Sequence, residues 1–289
     1  MPSASALLEL ERVSETRFRA VHNQNNYLGS IFGGQPLCQA LAAAQQTVAD
    51  WPVHSSASQF LRAGAPDLPV DYDVERVRDG RRYASRRVLA SQAGRPIFDA
   101  LCSFHDPEQG FQHQTDTAPP APDPEGLLSL QEAARVHASR LDPKMAELYC
   151  KPFPVELRLF NPELDLLGPM ASLRRSAWMR MPSAAAIASP RDHFCLLAFM
   201  SDYWLAGVVG GPHAKPARER RVSIATLNHS IWFHAPARVD QWLLYQTESP
   251  WAADGRGLAR GAIYDRSGKL AASTMQEVSL RPLGRSDPN

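Results

Sequence analysis

The alternation of apolar and polar positions divides the chain into two helical runs set among many strands. After Phe32-Gly33-Gly34-Gln35-Pro36 comes LCQALAAAQQTV, rich in Ala, Leu and Gln. It reads as a helix with Pro36 in its first turn, where a missing N–H costs nothing. A second run, Arg191 to Ala206, is apolar on nearly every side beyond its first turn, so it is expected to be buried. Elsewhere the period falls to two. Arg17-Phe18-Arg19-Ala20-Val21 alternates as a strand after a short helix near Ser5, and residues 53–105 read as antiparallel sheet. Pro152–Arg158, Ser176–Met181, Val222–His234, WLLYQTES, LARGAIYD and LAASTMQEVSLRP supply further strands.

Turn chemistry sets the connections. Asp79-Gly80 predicts a two-residue hairpin loop, which would place Asp73 opposite Arg86 and Glu75 opposite Ala84. Ala93-Gly94, Asp254-Gly255 and Ser267-Gly268 mark other turns. Residues 106–126 carry five prolines and little apolar content, as a linker does. The expected units are therefore 1–115, a linker with one surface helix over 116–150, and 151–289. The two flanking units share a layout. Asp79-Gly80-Arg81 recurs as Asp254-Gly255-Arg256 after 175 residues, the offset that also separates His54 from His229. Each unit is a helix followed by antiparallel strands, a repeated α+β arrangement.

Composition narrows the partners. The chain has 289 residues, 44% hydrophobic and 21% charged, with a net charge of +1, so no global field favours nucleic acid or an anionic membrane. The longest apolar stretch is interrupted by Asp202, which argues against a membrane span. The N-terminus shows no secretory pattern and the C-terminus no peroxisomal tripeptide. Four scattered cysteines (Cys38, Cys102, Cys150, Cys195) form no metal-ligand spacing and suit a reducing compartment, so a cytoplasmic location is expected.

Candidate chemistry concentrates late in the chain. Val222–His234 (VSIATLNHSIWFH) reads as a strand, yet carries Thr226, Asn228, His229, Ser230 and His234. Buried polar groups need partners, so this strand is expected to form one wall of a site. Asp202 is the only charge in the apolar part of its helix and must be either paired structurally or functional. Gly33-Gly34 before a helix start is either a plain turn or a place where a ligand approaches backbone donors. Arg78, Arg81, Arg82, Arg86 and Arg87 form either a charge-paired ribbon or a contact for a phosphorylated ligand. His54 and His229 read most simply as satisfied core histidines.

The layout resembles the hot-dog fold, a sheet wrapped around one helix, present twice. The sequence also resembles the acyl-CoA thioesterase II family from about Tyr27 to Pro282, through FGGQ at 32–35, FLRAG at 60–64, RDGRRYASRRVLASQ at 78–92, LNHSIWFH at 227–234 and STMQE at 273–277. It departs from the family at Ala63, Asn228 and Val278, where proline, aspartate and glycine are usual. The resemblance implies hydrolysis of fatty acyl-CoA to acid and CoA, with Asp202, Thr226 and Gln276 positioning a water. It also implies a site lined by His54, with the thioester carbonyl near the Gly33-Gly34 helix start. No metal or cofactor is expected beyond the CoA of the substrate, and a homo-oligomer, dimer or tetramer, is expected. The alternatives are an acyl-CoA hydratase or dehydratase on the same fold and a non-catalytic acyl-CoA-binding protein.

Overall fold

A computed structural model of the chain describes residues 3–26, 29–115, 117–168, 172–213 and 222–282. The basic run AKPARERR at 214–221 and the C-terminal GRSDPN lie outside these residues. In order, the first half comprises α1 (Ala4–Leu8), β1 (Glu11–Arg12), β2 (Arg17–Ala20), α2 (Gly34–Gln45), β3 (Val53–Phe60), β4 (Val70–Asp79), β5 (Tyr83–Gln92) and β6 (Arg95–His105). A connecting region holds α3 (Leu130–Val136) and α4 (Pro143–Cys150). The second half comprises β7 (Glu156–Leu159), α5 (Pro162–Leu167), β8 (Arg174–Arg180), α6 (Pro190–Asp202), α7 (Gly207–Gly210), β9 (Val222–Phe233), β10 (Leu243–Ala253), β11 (Arg256–Tyr264) and β12 (Leu270–Pro282).

The strands form one antiparallel sheet in the order β1-β2-β4-β5-β6-β3-β9-β12-β11-β10-β8-β7. The two halves follow the same topology. In each, a strand precedes the core helix, and the next four strands pair so that the first lies beside the last. β2, α2 and β3–β6 correspond to β8, α6 and β9–β12. The halves meet where β3 pairs with β9, Ser58 opposite His229.

The α2 helix is buried at nearly every position, which its small residues permit. Its polar members are satisfied: Gln35 donates to the His22 carbonyl (2.9 Å) and Tyr72 donates to Gln39 (2.8 Å). The α6 helix lies antiparallel to α2. Gln45, at the end of α2, donates to Asp192 (2.8 Å) at the start of α6. At the other end, a methyl group on Gly34 would lie 2.4 Å from the Phe199 carbonyl oxygen, so only glycine permits this approach. The helical run Pro190–His213 is long and apolar enough to cross a membrane, but 72% of its apolar window is buried inside this fold. It breaks at Trp204, whose φ is 75°.

Two expectations are corrected. Asp79 and Gly80 are not left-handed, whereas Ala93-Gly94 (φ 47° and 76°) and Asp254-Gly255 (51° and 71°) are, so the tight loops fall at the latter pairs. A bulge between Arg76 and Arg78 and a longer loop shift the β4–β5 register, so Asp73 stands opposite Leu89 and Glu75 opposite Arg87. Asp73 instead pairs with Arg17 of β2 at 2.8 Å. The one surface helix expected within 116–150 is two helices: α3 ends at Val136, and α4 starts at Pro143, which suits the first turn of a helix. Asp142 caps the second by accepting from the Lys144 N–H (3.0 Å).

The arginine ribbon is mainly charge-paired. Arg82 pairs with Asp106 and Arg87 with Asp99, each at 2.7 Å. Arg86 is buried, 1% exposed, and donates to Asp79, to Thr47 through both its hydroxyl and its carbonyl, and to the Arg78 and Ser85 carbonyls. It ties the end of α2 to the β4–β5 hairpin. Arg86→Ala is expected to lower stability by about 2–4 kcal/mol in chemical denaturation. Arg86→Lys should recover only part of the loss, because an ammonium cannot reach that fork of acceptors.

Candidate active site

The antiparallel packing of the two core helices delivers Asp202, the last residue of α6, to the start of α2. A carboxylate at the negative end of its own helix is poorly placed; the positive end of α2 offsets this. The fit is close, since a methyl group on Gly33 would lie 2.8 Å from Asp202 Oδ2 and 3.2 Å from the Phe60 ring. Burial pushes the Asp202 carboxyl up to about 7, while the Gln276 amide and the Gly34 N–H, facing it, hold it lower than burial alone would. Its Oδ1 is buried and makes no hydrogen bond among the described residues.

Thr226, His229 and Gln276 come from the neighbouring strands β9 and β12. Gln276 donates from Nε2 to Thr226 Oγ1 at 2.7 Å, and its Oε1 lies 2.9 Å from His229 Nδ1. His229 Nε2 lies 3.0 Å from Ser201 Oγ, on the residue before Asp202. The Ser201 carbonyl accepts from Tyr245 Oη (2.8 Å), which fixes the helix terminus. Burial pushes the His229 imidazole down to about 4, so it is neutral at physiological pH. The cluster thus runs Ser201–His229–Gln276, with Thr226 and Asp202 both beside the Gln276 amide.

A strict strand could not present both Thr226 and His229 to one side, because their spacing is odd. A register shift between Glu277 and Val278 solves this: Glu277 pairs with Asn228 and Val278 with Thr226, leaving Leu227 as the extra residue. The bulge reverses the phase of β9 and turns Thr226 toward Gln276.

The structure brings Asp202, Thr226, Gln276, Gly33 and Gly34 together and leaves His54 apart. His54 bonds Ser103 Oγ (2.8 Å) and packs edge-on against Tyr83 and His105. It lies at the far end of β3 from Phe60, about 20 Å along the strand. The Gly34 N–H faces Asp202, so it is not a free donor for a substrate carbonyl. Arg191 pairs with Asp50 (2.9 Å), not with Asp202. Asn228 donates to Glu277 Oε2 (3.1 Å) on the neighbouring strand, directed away from Gln276. Reading the sequence misses the place of His229 and Ser201 in the cluster. The adjacency of Ser201 to Asp202 is a signal; the bulge that admits His229 has none in the hydrophobic period.

Beside Asp202 stands a half-buried aromatic group. Phe32 lies edge-on to Phe153 and Phe199 (5.3 and 5.0 Å between centroids), and Phe153 stacks on Tyr203 at 4.2 Å. An apolar chain entering toward Asp202 would meet these rings.

A buried carboxylate, an amide and a hydroxyl converging between two hot-dog units define the class: a double hot-dog protein with a site suited to activating water. The chain matches the family model of the acyl-CoA thioesterase N-terminal domain over residues 22–105 and that of the C-terminal domain over residues 115–280. It is 35% identical to acyl-coenzyme A thioesterase 8 of Mus musculus, covering 96% of this chain and 88% of that one. It is 34% identical to acyl-CoA thioesterase 2 of Haemophilus influenzae, covering 95% and 96%. The crystal structure of an acyl-CoA thioesterase II from Mycobacterium marinum superposes with a TM-score of 0.78 at 34% identity, covering 99% of both chains. The chain belongs to the acyl-CoA thioesterase family. A dehydratase domain from Mycobacterium tuberculosis, with a TM-score of 0.54 at 13% identity, shares the fold alone.

Proposed function

We propose that this thioesterase hydrolyses fatty acyl-CoA by direct attack of a water held among Asp202, Gln276 and Thr226. The observation that carries the reading is the buried Asp202 Oδ1, an acceptor without a donor among the described residues, beside an amide already bonded to Thr226. An orphaned buried acceptor costs about 1–3 kcal/mol, which a bound water donating to it would relieve. Asp202, with its carboxyl near 7, takes the proton as the water attacks. The carbonyl oxygen meets the start of α2 at Gly33, where helix polarity favours developing negative charge. The thiolate of CoA leaves without needing a metal, and no acyl-enzyme or cofactor enters the scheme.

The hydratase or dehydratase alternative needs a carboxylate and an imidazole acting as a pair. Here His229 engages Ser201 and Gln276, and His54 lies elsewhere. Release of free thiol from saturated acyl-CoA, followed with a thiol reagent, tests the reading. Hydration of enoyl-CoA without thiol release would replace it, and tight acyl-CoA binding with no turnover at any chain length would reduce the protein to a binder.

The half-buried rings of Phe32, Phe153 and Tyr203 are the proposed entry for the acyl chain. We also infer a homo-oligomer, dimer or tetramer. Leu101, Trp232 and Met275 are exposed (52, 43 and 39%) on β6, β9 and β12, within the central stretch β6-β3-β9-β12 of the sheet, a face suited to a second copy. A cytoplasmic location is inferred from the four free cysteines.

A further inference from the structure

We propose that His229 is a positioning residue: it holds the Gln276 side chain in the one amide orientation that turns its NH2 toward Thr226 and Asp202. The inference rests on the hydrolytic reading above and adds to it a determinant outside the three groups that face the water. An amide has two orientations of nearly equal shape, differing only in which end carries the donors. At Gln276 the difference decides the chemistry. With NH2 toward Asp202 and Thr226, the amide can donate to a carboxylate and to a hydroxyl. Reversed, it sets a carbonyl oxygen against an ionised carboxylate.

The selection falls to the imidazole. His229 is fully buried and neutral, so it carries one ring proton. A proton on Nδ1, 2.9 Å from Gln276 Oε1, makes it the donor that fixes the amide. Nε2 must then accept, and Ser201 Oγ stands 3.0 Å away with a hydroxyl to give. The alternative tautomer would donate to Ser201, whose own proton would go to the Ala198 carbonyl at 2.8 Å. It would also turn a lone pair on Gln276 Oε1 and drive the amide to reverse. An ionised Asp202 disfavours that reversal. The backbone is held as well, since Ser58 Oγ donates to the His229 carbonyl at 2.7 Å across the junction of the two halves.

Three substitutions separate positioning from packing. In His229→Asn the amide nitrogen falls near the position of Nδ1 and keeps the donor to Gln276. In His229→Gln the nitrogen falls near Nε2, and in His229→Leu there is none. Expected are a kcat for His229→Asn within a few-fold of the parent, falls of about 10- to 100-fold for the other two, and little change in KM. The rise of rate with pH should move upward in His229→Leu, because a disordered Gln276 no longer holds the Asp202 carboxyl down. Wild-type kcat in His229→Leu, or His229→Gln equal to or better than His229→Asn, would overturn the proposal. Should these variants fail to fold, ¹⁵N-histidine spectra of the wild-type protein decide. One of the nine histidines should stay neutral and protonated on Nδ1 while the exposed ones titrate, and its absence overturns the proposal. Loss of turnover in Asp202→Asn alongside wild-type His229 variants sinks this inference alone, whereas turnover in Asp202→Asn sinks the mechanism beneath it.

Discussion

Asp202→Asn is expected to slow thioester hydrolysis by orders of magnitude and at the same time stabilise the protein at alkaline pH. The Asp202 carboxyl, ordinarily near 3.8, is pushed up to about 7 by burial. Between those values the folded chain keeps a proton that the unfolded chain has released. Native stability therefore falls as pH rises from about 4 to about 7, and the penalty persists above 7. Asparagine carries no charge to bury, so at pH 8 the variant should be more stable by about 1–3 kcal/mol, while at pH 4 the two should coincide. In the proposed mechanism catalysis depends on the ionised form, so the wild-type rate should climb through about pH 7. Removing the base should lower kcat by about 10²- to 10⁴-fold. Thermal melts at pH 4 and 8, with kcat measured on the same samples, check both halves. Turnover within tenfold of the parent would place the base elsewhere.

The second large effect is expected at Gln276. This side chain is fully buried and bridges Thr226 on one side and His229 on the other. In the proposed arrangement, Gln276→Ala removes the donor that holds the water and strands the His229 Nδ1–H without an acceptor. Expected are a loss of about 10²- to 10³-fold in kcat and about 1–3 kcal/mol in stability. Gln276→Glu separates the two effects. A carboxylate oxygen can still accept from His229, so much of the stability should remain. The water-facing end becomes an acceptor beside Asp202, and two neighbouring carboxyls cannot both ionise readily. Turnover should still fall, and the pH at which it rises should move upward. An active Gln276→Glu enzyme with the parental pH profile would remove Gln276 from the mechanism.

The reading at Asn228 also changes once the strand is folded. In sequence it stands two residues from Thr226 and suggests an altered charge at the site. In the structure its side chain meets Glu277, which also pairs with Arg256 at 2.9 Å. Asn228 therefore bears on that cross-strand contact, on the face of β12 opposite Gln276.

Much of the architecture is legible in local chemistry. Residues with period-two alternation, such as Arg17–Ala20, become strands, and the small-residue run after Pro36 becomes the helix that a sheet can enclose. The repeated order of turns matches the repeated topology, because each turn joins equivalent strands. Turn type is less legible: Asp79-Gly80 and Asp254-Gly255 are the same dipeptide, and only the second adopts the left-handed pair. A bulge at Val77 and a longer loop relieve the first of that requirement.

By itself, the sequence determined the elements, their repetition and the presence of one carboxylate in an apolar helix, since each follows from local periodicity and from the cost of burying charge. Only the tertiary structure decided what that carboxylate meets. Antiparallel packing of α6 on α2 set Asp202 at a helix start contributed by the other half. A single extra residue in β9 turned Thr226 and His229 onto one side. Both depend on contacts between residues tens to hundreds of positions apart, where no local pattern carries the information.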